Sequence, residues 1–439
     1  MIYPTARSIV LTALGAPAAL VIGVMIPQFW HLGLVWVVLI IALTVFDGLS
    51  APGRTQLDIE LDKPMAVGVG APFSVTTRLR FARTRGAPRK VELAQRVDER
   101  LEIRGIRRET ATLIDGVGEH GSVFTAHRRG PAEIETIWAR WKGPLGLAWV
   151  QAREQLVAII AVTPNIAPIH DKAIQLFLRD ASFGLIAQVE RGEGSEFEAL
   201  TEFQLGMDKR TIDWKQSARH TALLAKEYRT ERNNHIVFAL DTGRTMCEPL
   251  DGLPRVDRAI TASLLTAYVA LKLGDRASLF GFAGRPLLAS PTVSGARAFA
   301  SLQRAAADLD YMPEESNYTL ALTTLASQLH RRSLIIIFTE FADPTSAELM
   351  LRAARRLVDR HLVLFVVMRD AELADIAHDA PEEPADVSRA VAASALLRER
   401  AIVISKLRRM GADVLEAPHG QIGTRLVDRY MTLKRRSLV

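Results

Sequence analysis

The chain holds a single cysteine, Cys247, so it can form no internal disulfide, and a reducing compartment suits it. The motifs that most directly announce catalysis are missing. There is no G-x-x-x-x-G-K-S/T phosphate loop, no H-E-x-x-H, no paired C-x-x-C and no G-x-S-x-G elbow. Charge of either sign is absent from Ser8 to Phe46, a run of Leu, Ile, Val, Ala, Gly and Trp. One crossing of a bilayer needs about 20 apolar residues, so this run is long enough for two. It divides at Pro27, Gln28 and His31 into Ser8–Ile26 and Phe29–Phe46, giving a transmembrane helical hairpin over residues 1–50. Lipid tolerates Gly15 and Pro17 inside the first span, and Trp30 and Trp36 suit an anchoring role. A cleavable signal peptide, with Arg7 as flank and Ala16–Ala19 as cleavage site, is the competing reading, but the apolar run far outlasts an ordinary h-region. Arg7 precedes the first span, Arg54 follows the second and the turn carries no Lys or Arg. The expected location is therefore an inner membrane, two-pass, with both ends and the body on the cytoplasmic side.

Lys plus Arg number 55 and Asp plus Glu 49, a net charge of +6. Because the two signs are interspersed, nucleic acid is not an expected partner, and a modest basic excess suits a body held at an anionic leaflet. From residue 51 to 165 the pattern has period two: Leu57, Ile59 and Leu61 alternate with Asp58, Glu60 and Asp62, and Phe73, Val75, Thr77 and Leu79 continue it. Further strands are expected at Val91–Val97, Arg107–Leu113, Ser122–Ala126, Ala132–Ala139 and Leu156–Val162. Such spacing, broken by Gly and Pro turns, reads as a β-sandwich domain. From residue 235 to 439 strands and helices alternate. Strands fall at His235–Leu240, Ala277–Phe282, Leu334–Phe338, Leu362–Met368 and Asp413–Glu416; helices fall at Arg255–Leu273, Ala296–Leu309, Leu320–Leu329, Leu349–Arg360, Val387–Met410 and Ile422–Lys434. That rhythm predicts a doubly wound α/β sheet whose ligands bind at the strand ends. Ala380–Ala385 reads as an exposed loop.

Residues 166–234 connect the two. Here charges of both signs crowd around Phe197, Phe203, Ile212, Trp214 and Leu223, so loops and a short helix are expected to brace an apolar seam. Arg210, Asp213, Lys215 and Arg219 are the natural members of an ion-pair network. Trp214 reads as an anchor between layers, Cys247 as a small buried hydrophobe, and His220 and His235 as surface or strand-end residues lacking metal spacing. Ser195, in a Gly-rich turn, has no identifiable base, so no residue is assigned a catalytic role.

The run G-x-G-S-E-F (Gly192 to Phe197, through Gly194, Ser195 and Glu196) is followed by G-M-D-K-R-T-I-D-W-K-Q-S-A-R (Gly206 to Arg219, with Asp208, Arg210, Asp213, Trp214 and Lys215). K-E-Y-R-T-E and an apolar strand ending at Asp241 come next. Together these resemble the bacterial domain of unknown function 58 family. H-R-R-G (His127–Gly130) and G-P-L-G-L (Gly143–Leu147) are similar to segments of its β-domain, with Gly143 and Leu145 where D-P-F-G-L is usual. The resemblance implies a β-sandwich followed by a von Willebrand factor type A-like domain. It also implies a MoxR-type AAA+ ATPase as partner, in chaperone-like maturation or metal insertion for other proteins. That fold normally carries a metal-ion-dependent adhesion site. The matching positions are Asp241, Gly243 and Thr245 in D-T-G-R-T, Thr319 in S-N-Y-T-L and Glu340 in F-T-E-F-A-D. Gly243 lacks a hydroxyl, Glu340 is a methylene longer than the usual Asp, and Arg244 adds a cation, departures that matter to an exacting ion such as Mg²⁺. The resulting expectation is a membrane-tethered, non-catalytic adaptor whose sheet edge binds protein. The alternative is a metal-dependent membrane-bound hydrolase or maturation enzyme at the same edge.

Overall fold

The computed structural model describes residues 2–25, 31–83, 86–104, 108–171, 174, 196–204, 207, 209–220, 222–229, 234–341, 344–380 and 383–436. The chain divides into two units, Met1–Asn165 and Ile166–Val439, in a mixed α/β structure of several sheets and helices.

The first unit opens with a short strand β1 (Ile2–Pro4) and two apolar helices, α1 (Ala6–Met25) and α2 (His31–Ser50). One helix of the described residues, α2 with its extension to Gln56, is long and apolar enough to cross a membrane; the apolar stretch of α1, Ala6–Ile22, is shorter. The two helices pack through small residues. A Cβ on Gly15 would meet the Trp36 indole at 2.3 Å, and one on Gly33 would meet Ala19 at 2.2 Å, the close approach that apolar surroundings reward. Trp36 Nε1 donates to Leu11 O at 3.0 Å and the Ser8 and Thr44 hydroxyls lie 2.7 Å apart. The expected turn at Pro27 and Gln28, and Trp30, lie outside the described residues.

Among the described residues nine strands follow, paired antiparallel except for β3: β2 (Leu57–Asp62), β3 (Ala66–Gly68), β4 (Pro72–Phe81), β5 (Lys90–Val97), β6 (Leu101–Arg104), β7 (Glu109–Thr112), β8 (Val117–Ala126), β9 (Gly130–Lys142) and β10 (Ala148–Thr163) complete the unit with β1. One sheet runs β1-β10-β9-β5-β7, with β3 added parallel to β10; the other runs β2-β4-β8-β6. Alternation explains the core. Val75, Leu79 and Phe81 of β4 and Phe124 of β8 are buried together with Ile137, Ala139 and Trp141 of β9. Phe81 meets Trp141 edge-on with centroids 5.1 Å apart, so the two sheets share one interior.

The junction between α2 and the β-unit is a buried carboxylate. Asp47 is fully buried near the end of α2; Oδ1 accepts from Leu145 N at 2.6 Å, and Oδ2 accepts from Leu147 N at 2.7 Å and Ala148 N at 2.9 Å. The first two amides belong to the G-P-L-G-L turn between β9 and β10, and the third opens β10. A Cβ on Gly143 would stand 2.5 Å from the Asp47 carboxylate, which is why glycine occupies that position. Asp47→Ala removes the acceptor of three inward amides. It should cost about 3 kcal/mol, seen as faster proteolysis of Met1–Asn165 in detergent; an unchanged cleavage rate would contradict this account of the junction.

In the second unit β11 (Glu196–Glu202) pairs with β12 (Leu224–Arg229), and a short helix α3 (Trp214–His220) lies between them. The main sheet comprises β13 (His235–Asp241), β16 (Arg276–Phe282), β17 (Pro286–Ala289), β18 (Val293–Ser294), β19 (Leu334–Phe338), β20 (Leu362–Arg369) and β21 (Asp413–Pro418); a minimal hairpin, β14 (Pro249–Leu250) with β15 (Leu253–Pro254), stands apart. Its order is β17-β16-β13-β19-β20-β21, with β18 also on β16. The β16-β13-β19-β20-β21 pairs are parallel, while β17 and β18 add antiparallel edges. Every residue of β19 is buried, as a central parallel strand requires. One face packs on α5 (Arg255–Lys272), α6 (Phe299–Ala307) and α11 (Ile422–Arg435). The other packs on α7 (Tyr318–Gln328), α8 (Pro344–Val358) and α10 (Pro384–Arg409). A further helix, α9 (Ala371–His378), was not expected, and α10 begins at Pro384, inside the expected Ala380–Ala385 loop. Glu383 and Asp386 form a reciprocal capping box there, which the Pro at the first helical position reinforces.

Candidate functional site

Counted in chain order, the parallel strands lie 2-1-3-4-5, so the winding reverses between β13 and β19, where open α/β sheets place their ligand crevice. Asp241, the last residue of β13, sits there fully buried. An isolated carboxylate could not stay charged in that position, and the chain supplies donors from three segments. Oδ1 accepts from Gly243 N at 2.9 Å and from the Ser316 hydroxyl in a short hydrogen bond. Oδ2 accepts from Thr339 Oγ1 at 2.7 Å and lies 3.1 Å from Tyr318 Oη, itself 3.0 Å from Thr339 Oγ1. Burial raises the carboxyl's affinity for a proton, and the bonds from Ser316, Thr339, Gly243 and Tyr318 oppose it. Burial and the Asp241 charge push Tyr318 well above its ordinary value near 10.0, keeping it a donor.

The glycine at 243 is a packing requirement: a Cβ there would stand 2.1 Å from Ser316 Oγ. The hydroxyl absent from position 243 is thus contributed by Ser316 from the loop before α7. Gly243 caps a one-turn helix, α4 (Arg244–Cys247), whose Arg244 pairs with Glu315 at 2.8 Å, both largely exposed. Thr245 is half-buried on the same turn and Thr319 is exposed at the start of α7. Glu340 follows β19 but faces the Arg400 guanidinium at 3.6 Å. Burial raises its proton affinity and the Arg400 charge opposes this. Asp241, Thr245, Thr319 and Glu340 share one sheet rim, and the lone pairs of Asp241 are taken by protein donors. These residues do not fit an octahedral oxygen-ligated cation; among the described residues no group of three or more His, Cys, Asp or Glu could hold a metal.

Beside this knot runs a line of alternating charge. Arg255, at the first turn of α5, donates to Asp370 at 2.7 Å and lies 3.3 Å from Glu248; Arg400 is 4.0 Å from Glu416. Ser316, Tyr318, Thr339, Arg255, Asp370 and Arg400 were not singled out from sequence. One signal was available: Arg400 sits in register with Ala393, Ile404 and Leu407 on the buried stripe of α10, where a cation needs a partner.

The signature segment differs from expectation. Asp213 is the N-cap of α3, with Oδ1 accepting from Lys215 N at 3.0 Å and Gln216 N at 3.1 Å, and its ion-pair partner is Lys226 at 3.3 Å. The backbone bond from Gln216 leads in lowering its proton affinity. Lys215 and Arg219 are exposed. Trp214 is 69% exposed and anchors no layers, since the first turn of α3 turns it outward. Cys247 is half-buried and not a plain hydrophobe, its thiol lying 3.3 Å from Thr242 O. Gly194, Ser195, Gly206 and Asp208 lie outside the described residues. Glu196, Phe197 and Arg210 are described in backbone only, Glu196 and Phe197 opening β11.

Residues 200–392, which contain this rim and most of the signature, match the model of the family described as Protein of unknown function DUF58. The match covers under half of the chain, so it is a likeness of this stretch to that family. No curated protein matches the chain. Similar solved structures include the conserved hypothetical protein BatB from Bacteroides thetaiotaomicron (12% identity, 40% of this chain and 98% of that chain, TM-score 0.24). Others are an aerotolerance-related membrane protein from Bacteroides fragilis NCTC 9343 (10%, 45% and 97%, 0.28) and an uncharacterized membrane spanning protein from Vibrio fischeri (13%, 46% and 98%, 0.16). Values this low establish no shared activity.

Two predictions follow from the geometry of the matched region. Asp241→Ala strands three hydroxyl donors and an amide, so it should destabilise the region by about 3 kcal/mol. Hydrogen exchange should then accelerate at residues 242–247 and 312–318, and unchanged protection would contradict the role given to Asp241. At the opposite strand ends, His235 lies 2.9 Å from Ser278 Oγ, and burial, with Arg276 and His361 nearby, lowers it from its ordinary 6.5. The unfolded chain then binds the proton more readily, so this stability is full above that value and is lost as pH falls through and below it. The melting temperature should drop between about pH 7.5 and about pH 5.5, and less so in His235→Gln; equal drops would contradict this.

Proposed function

We propose that the protein is a membrane-tethered, non-catalytic adaptor whose DUF58 region binds a protein partner at the carboxyl rim of its parallel sheet. The observation that carries this reading is the Asp241 knot. A carboxylate committed to internal donors has no free lone pair for general-base or nucleophilic work, but it locks the α4 turn and the 312–317 loop into a fixed shape. A preorganised rim presenting Arg244, Glu315 and Thr319 is suited to recognition, since little ordering entropy is left to lose on binding. The strand order and the two helical layers support a doubly wound, von Willebrand factor type A-like reading of this unit, and the facing sheets support a β-sandwich in the other. The small-residue packing of α1 against α2 supports a two-pass hairpin in the inner membrane, with the body cytoplasmic by the distribution of Arg7 and Arg54.

The partner we propose is a MoxR-type AAA+ ATPase, which would supply the energy an adaptor lacks in maturing or assembling other proteins. Tethering raises the local concentration of the pair near a membrane client. Pull-down of the full chain from detergent-solubilised membranes, with and without ATP, should recover such an ATPase. Arg244→Glu places a second negative charge beside Glu315 and leaves the Asp241 knot untouched, so recovery should fall about tenfold. Absence of an ATPase from the wild-type sample, or equal recovery with the variant, would overturn the proposal.

A further inference from the structure

The outward face of the first sheet carries an arrangement with no part in the rim described above. On β9, Trp138, Arg140 and Lys142 alternate with the buried Ile137, Ala139 and Trp141; on β10, Trp149, Gln151 and Arg153 alternate with the buried Val150 and Ala152. The register sets them directly opposite one another, Lys142 with Trp149, Arg140 with Gln151 and Trp138 with Arg153. The cations stack on the indoles: Arg140 lies 4.5 Å and Lys142 5.0 Å from the Trp149 ring centre, and Arg153 lies 5.9 Å from that of Trp138. A cavity on this face is lined by Tyr3, Arg108, Trp138, Arg140 and Gln151, with Glu92 its carboxylate. Arg140 donates to Glu92 at 2.7 Å and reaches Tyr3 Oη at 3.4 Å. Glu92 can neutralise one of the four cations Arg108, Arg140, Lys142 and Arg153. The acidic Glu133 and Glu135, with Arg96 on Glu135, lie toward the other end of β9.

Tyr3 also lines a second cavity of about 560 Å³, an apolar cleft whose walls include Ile9 and Ala13 of α1 and Ile41 and Val45 of α2. Its position follows from the chain path. Thr5, just before α1, bonds to Gly146 and Leu147, and Asp47, ending α2, is held by the same turn, so both apolar helices meet the sheet where β9 passes into β10. An apolar cleft and a basic cavity that holds an indole share Tyr3 as a wall, and together they have the polarity profile of an amphiphile.

We propose that this face and cleft seat an anionic phospholipid of the host bilayer. One acyl chain lies between α1 and α2, and the phosphate lies against Arg140, Lys142 and Arg108, with Trp149 and Trp138 at headgroup depth. The inference rests on the membrane reading of α1 and α2. Indoles at the interface and Lys or Arg beside an anionic leaflet are each favoured there, at about 1 kcal/mol per cation.

The test uses the full chain in phosphatidylcholine nanodiscs containing about a third phosphatidylglycerol, a trace of it carrying a photoactivatable headgroup. Labelling should fall on residues 138–153, and the double variant Lys142→Glu with Arg153→Glu, both exposed and outside the core, should lower it at least about fivefold. A phosphatidylcholine probe with the same headgroup label should leave that segment unmarked. Labelling confined to α1 and α2, equal labelling of the variant, or equal marking by both probes would overturn the lipid seat while leaving the membrane anchor standing. Release of the chain from membranes by alkaline carbonate would remove the anchor and the lipid seat together.

Discussion

A carboxylate sealed away from water is the constraint around which the second unit is organised. Asp241 ends β13 where the winding of the sheet reverses, and it stays hydrogen-bonded only because Gly243, Ser316 with Tyr318, and Thr339 arrive from three segments. Each pays for itself locally: glycine at 243 makes room for Ser316, and Asn317 caps α7 so that Tyr318 enters at a fixed angle. The α4 turn and the loop before α7 cannot shift independently of that knot, which gives the rim one shape. The first unit repeats the device, since Asp47 fixes the G-P-L-G-L turn and the start of β10 through three backbone amides. In both places a buried carboxyl group serves as a fastener, strong because removing either side leaves the other unsatisfied.

Much of the layering was legible from periodicity. Leu57, Ile59 and Leu61 alternate with exposed acids in β2 as they do in the sequence, and the uninterrupted Leu334–Phe338 run is buried throughout. What escaped was set by contacts rather than by pattern. The β11–β12 pair lies in a charge-rich segment with no clean alternation, and α9 is short enough that its Asp370 cap is its clearest mark. Trp214 misled because indoles are usually buried, whereas the N-cap at Asp213 sets the helix phase and leaves this one outward.

The rim was half legible for the same reason. Asp241 stands out as an acid closing an apolar strand, and Glu340 as one following another. Ser316 and Thr339 lie 75 and 98 residues from Asp241 in the chain, so only the strand order brings them to it. That same order sets Glu340 against Arg400 and commits Asp241 to protein donors, an arrangement that residue types alone do not suggest.

The central claim is that the preorganised rim is the surface a partner meets. It is tested most directly by placing a photo-crosslinking residue at Thr319, on the rim, and separately at Arg331, before β19 at the other end of the sheet, in cells carrying the full chain. The account predicts a AAA+ ATPase adduct from position 319 and none from position 331. The same adducts from both positions, or none from 319, would contradict it.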